Sequence, residues 1–536
     1  MAMTVERATD RESEVLEVDA LIVGAGVAGL YAAYRLRGLG LSFRGVEAGE
    51  DVGGTWYWNR YPGCRCDVPT IEYSYSFDEE LEQEWSFPET MSAQPEIERY
   101  LNHVADRHEL RPHFVFGTRV TSVVFDDSTS RWHVETDRGD RYTARWCILA
   151  TGSLSAPNFP DIPGVDTFAG EKVHTGLWPR GGVDLAGKRV GIIGTGSSGI
   201  QAIPHLAAAA EHLTVFQRTP NYAFPAQVTP TDPDFEAYVK EHYRELRELQ
   251  RTSAIGVSGM TRRTDDGEEQ GLGAGALTGF SALADPELNK NMQELFAGLV
   301  RSRVNDPEVA EALIPKDYPV GCKRLVVEIG YYETYNRDNV TLVDLRKGGI
   351  TEITATGVST EQGDFELDVL VFATGFDAIT GPLTRIDIRG RDGVSLKEKW
   401  AEGPRAYLGL VTAGFPNLFL VTGPGSPSVL SNMMVSIEQH VDFIADAIAY
   451  MRAEDLASMD ADEAAEEEWI GHVNEVAVGT PFTAPSCNSW YLGANIEGKT
   501  RVFMPYVGGV GRYRETCDEI VEDGYRGFLL EPVAVD

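Results

Sequence analysis

A chain of 536 residues, 43% apolar and 10% aromatic, exceeds what a single core grows to. Length alone suggests roughly three to four domains. Its 47 basic and 82 acidic residues leave a net charge of −35; this argues against nucleic acid or an anionic membrane surface as partner, because both reward clustered Lys and Arg.

The first 18 residues are polar and of mixed charge, without the apolar stretch of a secretory signal. No run approaches the length of a membrane helix, about 18 or more apolar residues. The six cysteines (Cys64, Cys66, Cys147, Cys322, Cys487, Cys517) are too sparse for a disulfide framework and contain no C-x-x-C metal or redox pair. A reduced, cytoplasmic protein without a metal site is the expectation.

Ala20 to Val23 reads as a buried strand, and Gly24, Gly26 and Gly29 follow in G-x-G-x-x-G spacing before an apolar-periodic helix, Leu30 to Leu39. In a dinucleotide site the first glycine makes the turn, the second admits a pyrophosphate and the third lets helix pack on strand. Glu47, 18 positions after Gly29 at the end of the strand Leu41 to Val46, is placed to meet a ribose hydroxyl. From Gly49 to Asp67, the aromatics Trp56, Tyr57 and Trp58 stand beside Gly53 and Gly54, with Arg60 close behind. Flat side chains next to a bare backbone suit a planar ring system, and suit an aromatic core equally. Further on, Ile71 to Phe77 alternates as a strand and Pro95 to His108 reads as a helix. Val115 to Val124, Trp132 to Thr136 and Arg141 to Leu149 form an antiparallel excursion that ends in Ala150-Thr151-Gly152.

A second unit repeats the first. The strand Arg189 to Ile193 runs into Gly194, Gly196 and Gly199, with Ser197 and Ser198 inside the turn. The same 18-residue step from Gly199 lands on Gln217, followed by Arg218 and Thr219. An acid there would repel a 2′-phosphate, whereas a neutral side chain followed by a guanidinium accepts one. One site therefore reads as taking a nucleotide without a 2′-phosphate and the other as taking NADP. An apolar strand from Val369 ends in Ala373-Thr374-Gly375, as the earlier one does, so one unit is expected to be inserted in the other. The fold class is then α/β, two nested Rossmann-type dinucleotide-binding domains with a helical insertion. The expected division is 1–151 and 377–536 for FAD, 152–223 and 321–376 for NADP, and 224–320 for the insertion. Within the last, Phe235 to Leu249 and Glu287 to Val304 have helical spacing around a glycine-rich loop near Gly267 to Gly279.

Two longer patterns lie between and beside the glycine turns. Phe168-x-Gly170-x-x-x-His174-x-x-x-Trp178-Pro179 resembles the linker fingerprint of type I Baeyer–Villiger monooxygenases, and Gly53, Gly54, Trp56, Tyr61, Pro62, Gly63 and Asp67 meet a second pattern of that family. Flavin monooxygenases that oxidise nitrogen or sulfur share the architecture, but their fingerprint lacks the Trp-Pro end; they are the alternative reading. The resemblance implies that FAD, reduced by NADPH, takes up O2, and that the resulting peroxide attacks a ketone to give an ester or lactone. It implies FAD contacts at Gly54, Thr55, Trp56, Asp67 and Tyr73. It also implies a charge-stabilising role for Arg324 with Asp67 fixing it, a grip on the 2′-phosphate by Lys323 and Arg218, and an NADP contact from Trp490. His174 reads as a base or as a hinge between domains. Leu430 and Met433, beside the loop Gly423 to Ser428, resemble the substrate side, in a form that suits bulky cyclic, aryl or steroid-like ketones. Leu408, Leu410 and Val411 fit an apolar pocket or a buried strand.

Overall fold

The computed structural model describes residues 15–226, 228–263, 269–271 and 282–533. In the first of two main sheets, Val15–Val23 lies parallel between Phe43–Val46 and Arg141–Leu149, with Val23 opposite both Val46 and Leu149. Covered on both faces, such strands read as apolar runs rather than as alternation, and Ala20, Leu21 and Ile22 are fully buried. Arg141–Leu149 also closes an antiparallel ribbon with Arg131–Thr136 and Val120–Asp126. Far along the chain, Leu418–Leu420 returns to pair in parallel with Cys147 to Leu149.

The second sheet is wholly parallel, in the order Val340–Asp344, His212–Gln217, Arg189–Ile193, Val369–Phe372, Glu171–His174. The chain thus leaves the first sheet after residue 149, completes the second, and comes back at Asp387–Arg389, which pairs with Val120–Asp126, and again at Leu418. Two nested Rossmann-type units are the observed α/β class. The long helix Met433–Ala453 packs on Val27–Gly38, where Tyr31 donates to Asp442 (2.7 Å) and Arg35 pairs with Asp446 (2.9 Å).

The insertion holds helices Pro233–Glu241, Tyr243–Thr252, Pro286–Arg303 and Pro307–Leu313. Three of them start with Asp as cap and Pro in the first turn, which satisfies free N–H groups and presets the backbone. The single helix expected over Phe235 to Leu249 is broken at His242, whose backbone (φ −112°, ψ 18°) leaves the helical region. The glycine-rich loop near Gly267 to Gly279 lies outside the described residues except for 269–271.

Two further expectations are corrected. Ile71 to Phe77 is not a strand but a short turn, Thr70–Glu72, followed by irregular chain. Its backbone donors are met by side chains instead of a neighbouring strand: Tyr75 N donates to Tyr100 Oη (2.9 Å) and Ser76 N to Glu438 Oε1 (2.7 Å). The cysteines are not all reduced, for Cys322 and Cys487 form a disulfide, 5.5 Å between Cα atoms. The other four are free and buried. Among the described residues no helix is long and apolar enough to cross a membrane.

Candidate active site

The two glycine turns are built alike. Gly24 (φ +108°) and Gly194 (φ +110°) adopt backbone conformations that side chains rarely take, and a Cβ on either would strike a carbonyl oxygen, of Ala150 and of Ala373 respectively. Each A-T-G segment thus seats its own turn. The helices that follow, Val27–Gly38 and Ser197–Ala209, have no acidic residue in the first turn and no side-chain cap. Their free N–H groups and dipoles favour an anion such as a pyrophosphate.

The surroundings of the two turns differ. Gly26 and Gly54 face each other so closely that a Cβ on Gly54 would lie 2.8 Å from Gly26 Cα, whereas a Cβ on Gly196 would meet nothing within 4 Å. At the end of the first unit the buried Glu47 carboxylate accepts from Ala25 N (2.7 Å) and Gly49 N (2.6 Å), and burial raises its pKa. At the end of the second, Gln217 is fully buried and donates to Ala312 O (2.8 Å), away from the turn. The exposed Arg218 follows it. Lys323 lies 4.6 Å over the Tyr318 ring, and burial together with the charge of Arg218 pushes its pKa down to about 8. A buried ammonium that a neighbouring guanidinium depresses is set up for a dianion such as a 2′-phosphate. Thr219 offers its carbonyl to Thr195 Oγ1 (3.0 Å).

Between the units stands Arg324. Its Nε and Nη2 donate to the two carboxylate oxygens of Asp67, both at 2.7 Å, and its Nη1 donates to Val429 O (3.0 Å). The Asp67 carboxylate raises the pKa of the guanidinium above its already high value, so the charge is permanent. Tyr491 completes the group: burial raises its pKa to about 12, and the nearby positive charge of Arg324 works against that rise. On the Asp67 side, Trp56 Nε1 donates to Tyr73 Oη (3.2 Å) with the rings edge to face at 5.8 Å, and burial raises the Tyr73 pKa. Thr55 opens the one-turn helix that carries Trp56.

Three other candidates fall into place around this group. Leu430 and Met433, half-buried, pack on an apolar cluster that includes Val429 and Tyr491, in the company of Leu154, Leu325 and Trp490. The Trp490 ring lies 4.2 Å from that of Tyr491, tilted by 43°. His174 stands apart, at the end of an edge strand of the second sheet, its ring between Phe159 and Phe376. Its Nδ1 accepts from Gly176 N (2.9 Å), and burial pushes its pKa down to about 4. It is a neutral ring that orders the linker turn. Leu408, Leu410 and Val411 belong to the core. Sequence reasoning missed Tyr491, although it adjoins Trp490, and the Val429 carbonyl, which no residue type could have signalled. Among the described residues no group of His, Cys, Asp or Glu is disposed to hold a metal.

The fold defines an oxidoreductase with two dinucleotide-binding units, and the Arg324 guanidinium is fixed by Asp67. Residues 21–271 match a family model described as pyridine nucleotide-disulphide oxidoreductase. An acetone monooxygenase (methyl acetate-forming) from a Gordonia species is 41% identical over 529 residues, covering 96% of this chain and 99% of its own. A Baeyer–Villiger monooxygenase from Pseudooceanicola batsensis is 40% identical over 536 residues, 97% of each chain. Among solved structures, an oxidized steroid monooxygenase bound to NADP superposes with a TM-score of 0.88 at 47% identity, covering 96% of this chain and 100% of its own. The chain belongs to the Baeyer–Villiger monooxygenases.

Proposed function

We propose that this chain uses FAD, NADPH and O2 to insert one oxygen atom beside a ketone carbonyl, giving an ester or lactone. Bound at the two sites, FAD and NADPH supply the electrons and the oxygen-activating ring. The first glycine turn, with Gly24, Gly26 and Gly29, holds the FAD pyrophosphate while Glu47 accepts from its ribose. Gly54, Thr55, Trp56 and Tyr73 line its ring end. The second turn, with Gly194, Gly196, Ser197, Ser198 and Gly199, holds NADP, whose 2′-phosphate goes to Arg218, Lys323 and the Thr219 turn. Sheet membership supports 1–151 and 377–536 as the FAD half and 152–223 and 321–376 as the NADP half; 224–320 is read as a cap over the cleft.

The observation that carries this reading is the two-pronged Arg324–Asp67 pair. Of the five N–H donors of a guanidinium three are engaged here, so two remain. Those two are free for the negative charge that develops on oxygen while a carbonyl is attacked. Asp67 fixes the plane of the fork and does not itself exchange a proton. The apolar side chains of Leu430 and Met433 exclude water and offer surface to a bulky cyclic, aryl or steroid-like ketone. The likeness to a steroid monooxygenase supports that class.

The test is purified protein with NADPH, O2 and a panel of such ketones, read by mass for products one oxygen atom heavier. A thioether and a tertiary amine run beside them. Ester or lactone is the expected product. Sulfoxide or N-oxide with no ester would move the chain to the heteroatom oxidisers, and protein that retains no flavin would remove the reading altogether.

A further inference from the structure

The disulfide lies where a covalent tie has consequences. Cys322 immediately precedes Lys323 and Arg324, and Cys487 lies three residues before Trp490 and four before Tyr491. Both cysteines are fully buried, and the bond closes a separation of 165 residues. Besides the disulfide, the stretch 478–488 is held from outside by Arg501, whose Nη2 donates to Ala484 O (3.3 Å), and by Phe482, which packs against Phe503 at 5.7 Å. Thr480 N donates to Ala477 O, Thr483 N to Thr480 O, Ala484 N to Pro481 O and Cys487 N to Ala484 O, so these bonds stay within the stretch or reach only the helix end before it. Beyond Cys487 the chain turns into the site. Phe482 packs edge to face on Tyr491 at 5.5 Å, and Tyr491 lies near enough to Arg324 for the guanidinium's charge to act on its phenol. Past it, Asn495 Nδ2 donates to Phe376 O (2.8 Å) and Lys499 pairs with Asp377 (2.5 Å), just after the second A-T-G.

We propose that Cys322 and Cys487 form a reversible thiol–disulfide modification site that latches the Trp490–Tyr491 segment over the Arg324 side of the cleft. Closed, the latch slows departure of the dinucleotide held by Arg218 and Lys323; that consequence rests on the NADP assignment above. In the opening reaction a thiolate of a dithiol attacks one sulfur, and the other leaves as a thiolate that takes a proton. The second thiol of the dithiol then resolves the mixed disulfide. The cystine is reduced to two thiols and the dithiol is oxidised to its disulfide; closing needs a disulfide of the same class as oxidant. Because both sulfurs are buried, attack requires the segment to open first. A dinucleotide that keeps the segment shut therefore protects the bond, and the bond in turn strengthens retention of the dinucleotide by the same factor.

The test uses holoenzyme prepared without reductant. Alkylation in denaturant should find four thiols, six less the bonded pair, and six after treatment with dithiothreitol. Peptide mapping should recover a cross-link between Cys322 and Cys487. Protease cleavage within 478–507 should rise about tenfold on reduction, and NADP+ should slow the reduction and leave the reduced protein faster by a similar factor. Cys487→Ser should show the reduced protein's cleavage and NADP+ release without any reductant. Six thiols before reduction overturn the proposal, as does equal cleavage of the oxidised, reduced and Cys487→Ser proteins. The thiol count and the cleavage rates decide the latch by themselves, so a failure of NADP+ to bind overturns the nucleotide assignment separately.

Discussion

Gly24 and Gly194 share a φ near +110° and the same close approach to the carbonyl of an A-T-G alanine, yet the second glycine of each turn meets a different environment. At Gly26 the backbone of Gly54 closes in, and the buried Glu47 stands at the ribose end. At Gly196 the space is open, and the second unit brings the cations Arg218 and Lys323 near each other. An enclosed slot suits a nucleotide that stays, and an open turn with cations at its rim suits one that comes and goes. The same local backbone serves both, and the difference comes from what the rest of the chain packs around it.

The largest test of this contrast is the group the two sites share. Arg324→Ala should lower the rate of ketone oxidation by about 10²–10³-fold, as expected for loss of a preorganised donor at a developing oxyanion, while flavin content stays unchanged. Arg324→Lys should recover little, because an ammonium cannot keep both oxygens of Asp67 and the Val429 carbonyl engaged. Next come the two slots. Gly54→Ala puts a Cβ 2.8 Å from Gly26 Cα at a positive φ of 53°, and should cost about 1–3 kcal/mol in thermal or urea unfolding and reduce bound flavin. Gly196→Ala, in open space with an ordinary φ of −82°, should fold normally and change only the KM for NADPH. Equal flavin loss in both variants would erase the distinction.

A smaller effect is expected at the rim. Arg218→Ala should raise the KM for NADPH roughly tenfold with little change in kcat, and should narrow the preference over NADH, in line with loss of one charged hydrogen bond. The smallest is a pH effect. The Lys323 pKa is lowered to about 8, so the side chain is charged below that pH and neutral above it in the free protein. A bound 2′-phosphate favours the charged form, so binding above pH 8 takes up a proton and the KM for NADPH should climb as pH rises past about 8. In Lys323→Arg, which stays charged, the climb should vanish.

The parts of this site that were legible in the sequence are those governed by local rules or by a contiguous motif. The glycine spacings announced both turns because a positive φ and a colliding Cβ leave little alternative. Gln217 followed by Arg218 announced NADP because a carboxylate at that point would oppose a phosphate. The alternation of Ile71 to Phe77 misled: a period of two predicts which side chains are buried, and Tyr75 is, but it does not say where the backbone bonds go, and here they go to Tyr100 and Glu438. The helix over Phe235 to Leu249 failed at a single residue, His242, for which the apolar spacing carried no signal.

What the residues alone determined is the pair of glycine turns and, through the family resemblance, that an arginine and an aspartate 257 positions apart belong together. Only the tertiary structure decided which carbonyl takes that arginine's third bond, which of 21 tyrosines lie within reach of its charge, and which two of six cysteines are joined. The physical reason is one of range. Backbone conformation at a glycine turn is settled within a few residues, whereas contacts between Arg324, Tyr491 and Val429 exist only once distant segments have packed and the apolar cluster beneath them has closed.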